Sequence, residues 1–176
     1  VKESPSCAAP VCIDLRAIDE RCQVSYQPPP TPDGRFSVEE IASNRLLPNR
    51  LLIEGDVDDI RGVSSILTRW LHRKAHAHLV PWLGEFSGEV DISFNKASVR
   101  GQSTRWASCS KLGNISINRS LLFLPKSLVR HVFLHELCHI IQLNHSPDFW
   151  KFLSSLEPDY KALEAKVRKA GEYVPR

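Results

Sequence analysis

His135-Glu136-Leu137-Cys138-His139, with His145 six residues further on, is the stretch from which the rest of the chain is read. Two histidines four apart on an α-helix share a face, about one turn from each other. Their imidazoles can therefore meet one metal ion from the same side. Glu136 points far enough round the helix to reach a water at that ion without ligating it. The pattern His-Glu-x-x-His thus places two zinc ligands and a general base on one rigid helix.

The flanks support that reading. Leu128-Val129-Arg130-His131-Val132-Phe133-Leu134 is apolar on almost every side, and Ile140, Ile141 and Leu143 continue the pattern. A helix apolar all round belongs in the core, where two histidines and a glutamate are costly without a purpose. Pro125 suits the first helical position. Asn144 can take the left-handed conformation that stops a helix and turns the chain back. Ser146-Pro147-Asp148 then reads as a new helix start, with a cap, a first-position proline and a favourable charge. The turn presents His145 to the same ion, giving three ligands and one remaining position, as in catalytic rather than structural zinc. Two competing readings are core histidines with satisfied hydrogen bonds, and a closed structural site with Cys109 as fourth ligand.

Further out, Val63, Ile66, Leu67, Trp70, Leu71, Ala75, Leu79 and Trp82 recur at helical spacing, and Pro81 is expected to kink or end that helix. His72, His76 and His78 crowd it; without an acidic neighbour at a useful offset they read as surface histidines. Val90-Asp91-Ile92-Ser93-Phe94, residues 98–100, 103–109 and 114–118 read as strands, with Lys111-Leu112-Gly113 as a turn. Arg105 reads equally as a substrate-binding or a strand-end residue, and Trp106 as core. After His145, Phe149, Trp150 and Leu153 form one apolar helix face. Pro158 starts another helix, carrying Tyr160, Leu163 and Val167 and ending at Gly171. Asp148 and Glu157 are candidate partners for ligand N–H groups. Tyr160 reads as a packed helix-start residue.

The first third of the chain differs. Residues 1–60 carry 6 Lys/Arg against 11 Asp/Glu, and residues 61–176 carry 17 against 9, within a net charge of +3. Residues 1–56 are expected to be an acidic, proline-containing arm, partly disordered, with Pro28-Pro29-Pro30-Thr31-Pro32-Asp33-Gly34 as a stiff linker. A helix start at Ser37-Val38-Glu39-Glu40 (a capping box) and a strand at 50–55 are its expected elements. Residues 57–176 are expected to form the functional domain. No run approaches a membrane span, and Val1 to Cys7 lack the apolar run of a signal peptide. Five cysteines in no framework spacing suggest reduced thiols and a cytoplasmic location.

Arg105-Trp106-Ala107-Ser108-Cys109-Ser110, Gly113-Asn114-Ile115-Ser116-Ile117-Asn118, Leu121, Pro125, the histidine motif, Asn144-His145-Ser146 and Phe149-Trp150 together resemble the YgjP-like metallopeptidases, a SprT-like or gluzincin-like group of zinc peptidases. The resemblance covers residues 57–171. The family usually has Gly where Ala107 stands, a substitution that is strained if the position requires positive φ. The resemblance implies an α+β, zincin-like fold: an N-terminal helix, a small antiparallel sheet, the buried motif helix and C-terminal helices. It implies Zn2+ on His135, His139 and His145, Glu136 as base, and peptide or protein substrates. The basic balance of residues 61–176 adds a possible association with nucleic acid. The alternatives are a zinc hydrolase of a non-peptide amide, and a nucleic-acid-associated module with vestigial zinc.

Overall fold

Alternating burial builds the first sheet of the computed structural model, which describes residues 9–29, 35–42 and 49–175. Strand β1 (Cys12–Leu15) buries Ile13 and Leu15, and β2 (Glu20–Gln27) buries Cys22 and Val24 while Arg21 and Gln23 face solvent. With β3 (Ser37–Ile41) and β4 (Asn49–Glu54) they form a four-stranded sheet in the order β1-β2-β4-β3. Only the β2/β4 pair is parallel. Where the sequence suggested a loosely ordered arm, the described part of residues 1–56 is therefore mostly strand; part of the proline linker, from Pro30 to Gly34, lies outside the described residues. The strand expected at 50–55 is β4. The helix expected from Ser37 is instead β3. Its capping hydroxyl donates across the ladder to Glu54 Oε2 at 2.7 Å, and Glu40 accepts from Trp70 Nε1 at 2.6 Å. Both side chains of the capping box are engaged tertiarily, and the local signal loses to strand pairing.

This sheet belongs to the first of two units, Val1–Leu15 with Asp19–Leu71; the second is Arg16–Ile18 with His72–Arg176. Helix α1 (Ile60–Glu89) contributes to both, burying Val63, Ile66 and Trp70 in its first part and Ala75, Leu79, Leu83 and Phe86 in the rest. The helix continues past Pro81 rather than ending there. Pro81 and Ala77 are both exposed, a position where water can serve a carbonyl left without its amide partner.

In the second unit, no strand forms at 90–94. Asp91 takes φ +54°, a conformation aspartate tolerates, and ends the helix; Ser87 Oγ then donates to the Ile92 carbonyl at 2.6 Å. Strands β5 (Lys96–Arg100), β6 (Ala107–Cys109) and β7 (Asn114–Asn118) follow, in the order β5-β7-β6. The β6/β7 hairpin is antiparallel as expected, turning at Gly113 with φ +71°. The sheet as a whole is mixed, because the chain leaves β5, passes along β6 on the far side and returns on β7 parallel to β5. Central strand β7 buries Ile115 and Ile117.

Asn118, at the end of β7, is 4% exposed and brackets the loop before β6. Its Nδ2 donates to the carbonyls of Gln102 (2.7 Å) and Arg105 (2.8 Å), and its Oδ1 accepts from Ser120 N (3.0 Å). Asn118→Ala is expected to destabilise the fold by about 1–3 kcal/mol, since it removes three hydrogen bonds to part-buried backbone groups; chemical denaturation measures it, and an unchanged midpoint would mean that the loop holds without this bracket.

The helical layer comprises α2 (Lys126–Ile141), α3 (Pro147–Leu156) and α4 (Tyr160–Lys169). As expected, α2 is buried nearly all round, from Leu128 through Cys138. Pro125 caps it rather than filling its first turn, and Ile141 and Leu143, expected to be buried, are 55% and 61% exposed. The end of α2 therefore opens to solvent. The architecture is α+β, and no helix among the described residues is long and apolar enough to cross a membrane. The four described cysteines are free thiols, and burial pushes Cys138 up to about 12.

Candidate metal centre

The three histidines singled out in the sequence converge. His135 and His139 project from one face of α2 with ring centroids 5.0 Å apart. The loop between α2 and α3 brings His145 Nε2 to 2.9 Å from His135 Nε2 and 3.2 Å from His139 Nε2. Nitrogens bound tetrahedrally at zinc distances lie about 3.3 Å apart, so the spacing is that of a shared ion. Proton bookkeeping agrees. His139 Nδ1 lies 3.0 Å from the Gln142 carbonyl, which can only accept, so Nδ1 carries the proton and Nε2 is left with a lone pair. That lone pair faces the other two rings, as a nitrogen that binds metal must. The residues present fit a divalent metal.

The turn that delivers His145 differs in detail from the expected one. Helix α2 ends as Gln142 N–H closes on the Cys138 carbonyl, with Gln142 extended at φ −127°. Asn144 is not left-handed: Asp19 and Asp91 are the described non-glycine residues with positive φ. The restart is as read: Ser146 accepts from Phe149 N, and Pro147 opens α3. Behind the cluster, fully buried Phe149 stacks on His139 at 4.6 Å and Trp150 on His145 at 5.4 Å. Tyr160 stacks on Trp150 at 5.6 Å, a packing role as expected. Burial draws His139 and His145 below the ordinary histidine pKa, aided by the neighbouring rings, which keeps their nitrogens available as ligands.

Glu136 is 8% exposed and looks toward β6. Burial raises its pKa to about 7, against the opposing pull of His135, a hydrogen bond from the Cys109 backbone and the Arg105 charge. A carboxylate poised there can both take and return a proton at neutral pH. Beside it lies a cavity of about 200 Å³, lined by Arg105, Trp106, Ala107, Val132, His135 and Glu136 among others. Trp106 is half-buried and donates from Nε1 to the Val167 carbonyl of α4 at 3.2 Å; Arg105 is exposed at the rim. Ala107, at the family's usual glycine, pairs with Ile117 in β6 without positive φ, so the anticipated strain is absent.

Other candidates fall away. Cys109 is not in either converging ligand group among the described residues, and neither are His72, His76 and His78. Asp148 is exposed in the first turn of α3, and Glu157 contacts His131 rather than a histidine of the cluster. The partner that sequence reading missed is Glu164 on α4, whose Oε1 lies 3.0 Å from His135 Nδ1. Nothing local marks it: a glutamate in a charged helix 29 positions after His135 carries no signal until α4 packs. His131, one turn before His135 on the same face, could have been read from the spacing.

Comparison with known proteins gives matching results. Residues 39–170 match the family profile described as YgjP-like, metallopeptidase domain. Over 85 residues the chain is 36% identical to the DNA-dependent metalloprotease WSS1 homolog of Schizosaccharomyces pombe, an alignment that takes in 48% of this chain and 31% of that protein. The chain thus spans about a third of that relative's length. Two solved metallopeptidase zymogens are similar to it. Abylysin of Pyrococcus abyssi has a TM-score of 0.44 at 22% identity, covering 49% of this chain and 89% of that one. Jannalysin of Methanocaldococcus jannaschii has 0.42 at 23%, covering 49% and 84%. The profile match extends over most of the chain, so the protein belongs to the YgjP-like family and carries its metallopeptidase domain over residues 39–170.

Proposed function

We propose that this protein is a zinc-dependent peptidase in which His135, His139 and His145 hold Zn2+ and Glu136 is the general base. The observation that carries the reading is the convergence of three imidazole nitrogens beside a buried glutamate and a cavity. Zn2+ bound there would supply Lewis acidity for the scissile carbonyl and for the attacking water. Glu136 takes a proton from that water on its carboxylate and delivers it to the leaving amine nitrogen. The Cys109 amide holds the Glu136 carboxylate, and burial keeps its proton affinity near neutral. Strand β6 is one of the two edges of its sheet, and its Cys109 amide reaches Glu136, which favours an extended peptide, added as a further strand, over a compact amide. On this reading the chemistry belongs to the second unit, and the acidic segment 1–56 is accessory to it.

The basic excess of residues 61–176 and the DNA dependence in the name of the yeast relative support testing DNA-bound proteins as substrates. The experiment is metal analysis together with digestion of unfolded and DNA-bound proteins. Chelation is expected to abolish cleavage and Zn2+ to restore it. Cleavage that survives complete metal removal would overturn the proposal. Tight, salt-dependent DNA binding without any cleavage would favour the non-catalytic module instead.

A further inference from the structure

We infer that Glu164 is a positioning residue for His135 and that His131 holds Glu164 in place, an inference that rests on the metal-site reading above. Glu164 Oε1 lies 3.0 Å from His135 Nδ1 and 3.3 Å from His131 Nε2. The other nitrogen of His131, Nδ1, contacts Glu157 Oε2. Three segments distant in sequence thus meet: the motif helix α2, the residue that ends α3, and α4.

Donor and acceptor counting fixes the protons along this chain of contacts. A carboxylate only accepts, so His131, only 1% exposed and placed between two of them, carries hydrogen on both nitrogens and is an imidazolium. Burial opposes that charge, but the hydrogen bonds and charges of Glu157 and Glu164 outweigh it and bring His131 up to about 9. The same oxygen of Glu164 faces His135 Nδ1, which favours the tautomer with hydrogen on Nδ1 and directs the Nε2 lone pair at the cluster of three histidines. The approach to His135 lies off the N–H axis, so the carboxylate acts on this ring more by charge than by an aligned hydrogen bond. A carboxylate behind a ligating imidazole fixes its orientation and raises its basicity.

His131, His135 and Glu164 also meet the spacing of a second ion site. An ion there would require His135 to lose its Nδ1 proton and bridge two cations. The hydrogen bond from His131 and the charge contact with His135 Nδ1 account for Glu164 Oε1 without that step. The imidazolium of His131 has a second consequence: it competes with Arg168 for Glu164. Arg168 Nε is 4.0 Å from Oε2 and 79% exposed, so it is the weaker partner, and Oε1 stays turned toward α2.

The test is Zn2+ affinity of the full chain, by competition with a chromophoric chelator, for wild type, Glu164→Ala, Glu164→Gln and Glu157→Gln. Glu164→Ala is expected to weaken Zn2+ binding by about 10–100-fold. Glu164→Gln should fall between Ala and wild type, because its amide oxygen can meet the same two N–H groups without the charge. Glu157→Gln, which touches only His131, should have the smallest effect. The visible spectrum of the Co2+-substituted protein should shift with Glu164→Gln, a readout that a purely structural tie between helices would leave unmoved. If Glu164→Ala does not fold, the Gln variant and the Co2+ spectrum decide. Wild-type affinity in the Ala variant, or a Gln variant with wild-type spectrum and affinity, overturns the inference alone. A wild-type chain that binds no metal overturns it together with the metal-site reading.

Discussion

Glu136→Gln is expected to keep a full complement of Zn2+ while losing peptide hydrolysis by about 10²–10⁴-fold, the range for removing a general base. The change is nearly isosteric, and the Gln side chain can still accept from the Cys109 backbone amide that holds the glutamate. What it cannot do is take up a proton. Burial has already placed the Glu136 carboxyl near neutrality, so the wild-type group exchanges protons at working pH. No ionised carboxylate is lost from the first ligand set, so metal content is the control and turnover is the readout. Unchanged hydrolysis with intact metal would remove Glu136 as the base and leave the three histidines standing.

His145→Ala is the second large effect. Metal affinity should fall well beyond the ~10–100-fold typical of losing only a partner of a ligand, because one of three converging nitrogens disappears. The fold should suffer far less. His145 is largely exposed, and its ring contacts with Phe149 and Trp150 are each worth about 0.5–1.5 kcal/mol. Dialysis against a metal buffer followed by metal analysis separates the two effects from each other and from misfolding. Stoichiometric, tightly held Zn2+ in this variant would place the third ligand elsewhere.

These expectations differ in how early they could be formed. The stripe of His135 and His139, the apolar flanks of α2 and the Ser146-Pro147 restart follow from helix geometry within a span of neighbours. A histidine cluster assembled inside one helix, a turn and the start of the next has few ways to fold apart. The apolar alternation of β7 and the glycine turn before it are local in the same sense. Errors arose where a local signal met a distant partner. Ser37 and Glu40 have the spacing of a helix cap, yet β4 and Trp70 claim both side chains. Pro81 reads as a kink or an end, but only the exposed position of Ala77 tells whether the missing hydrogen bond matters.

The convergence of the three imidazoles was therefore legible in the residue order, because they are joined by a short chain whose geometry is nearly determined by φ and ψ alone. The surroundings of those imidazoles were not. Cys109 behind Glu136, Glu164 behind His135 and Trp106 against α4 are contacts between strands and helices many residues apart, set by how the apolar faces of α2, α4 and β6 pack. Packing free energy depends on the whole set of buried surfaces at once, and no window of sequence contains it.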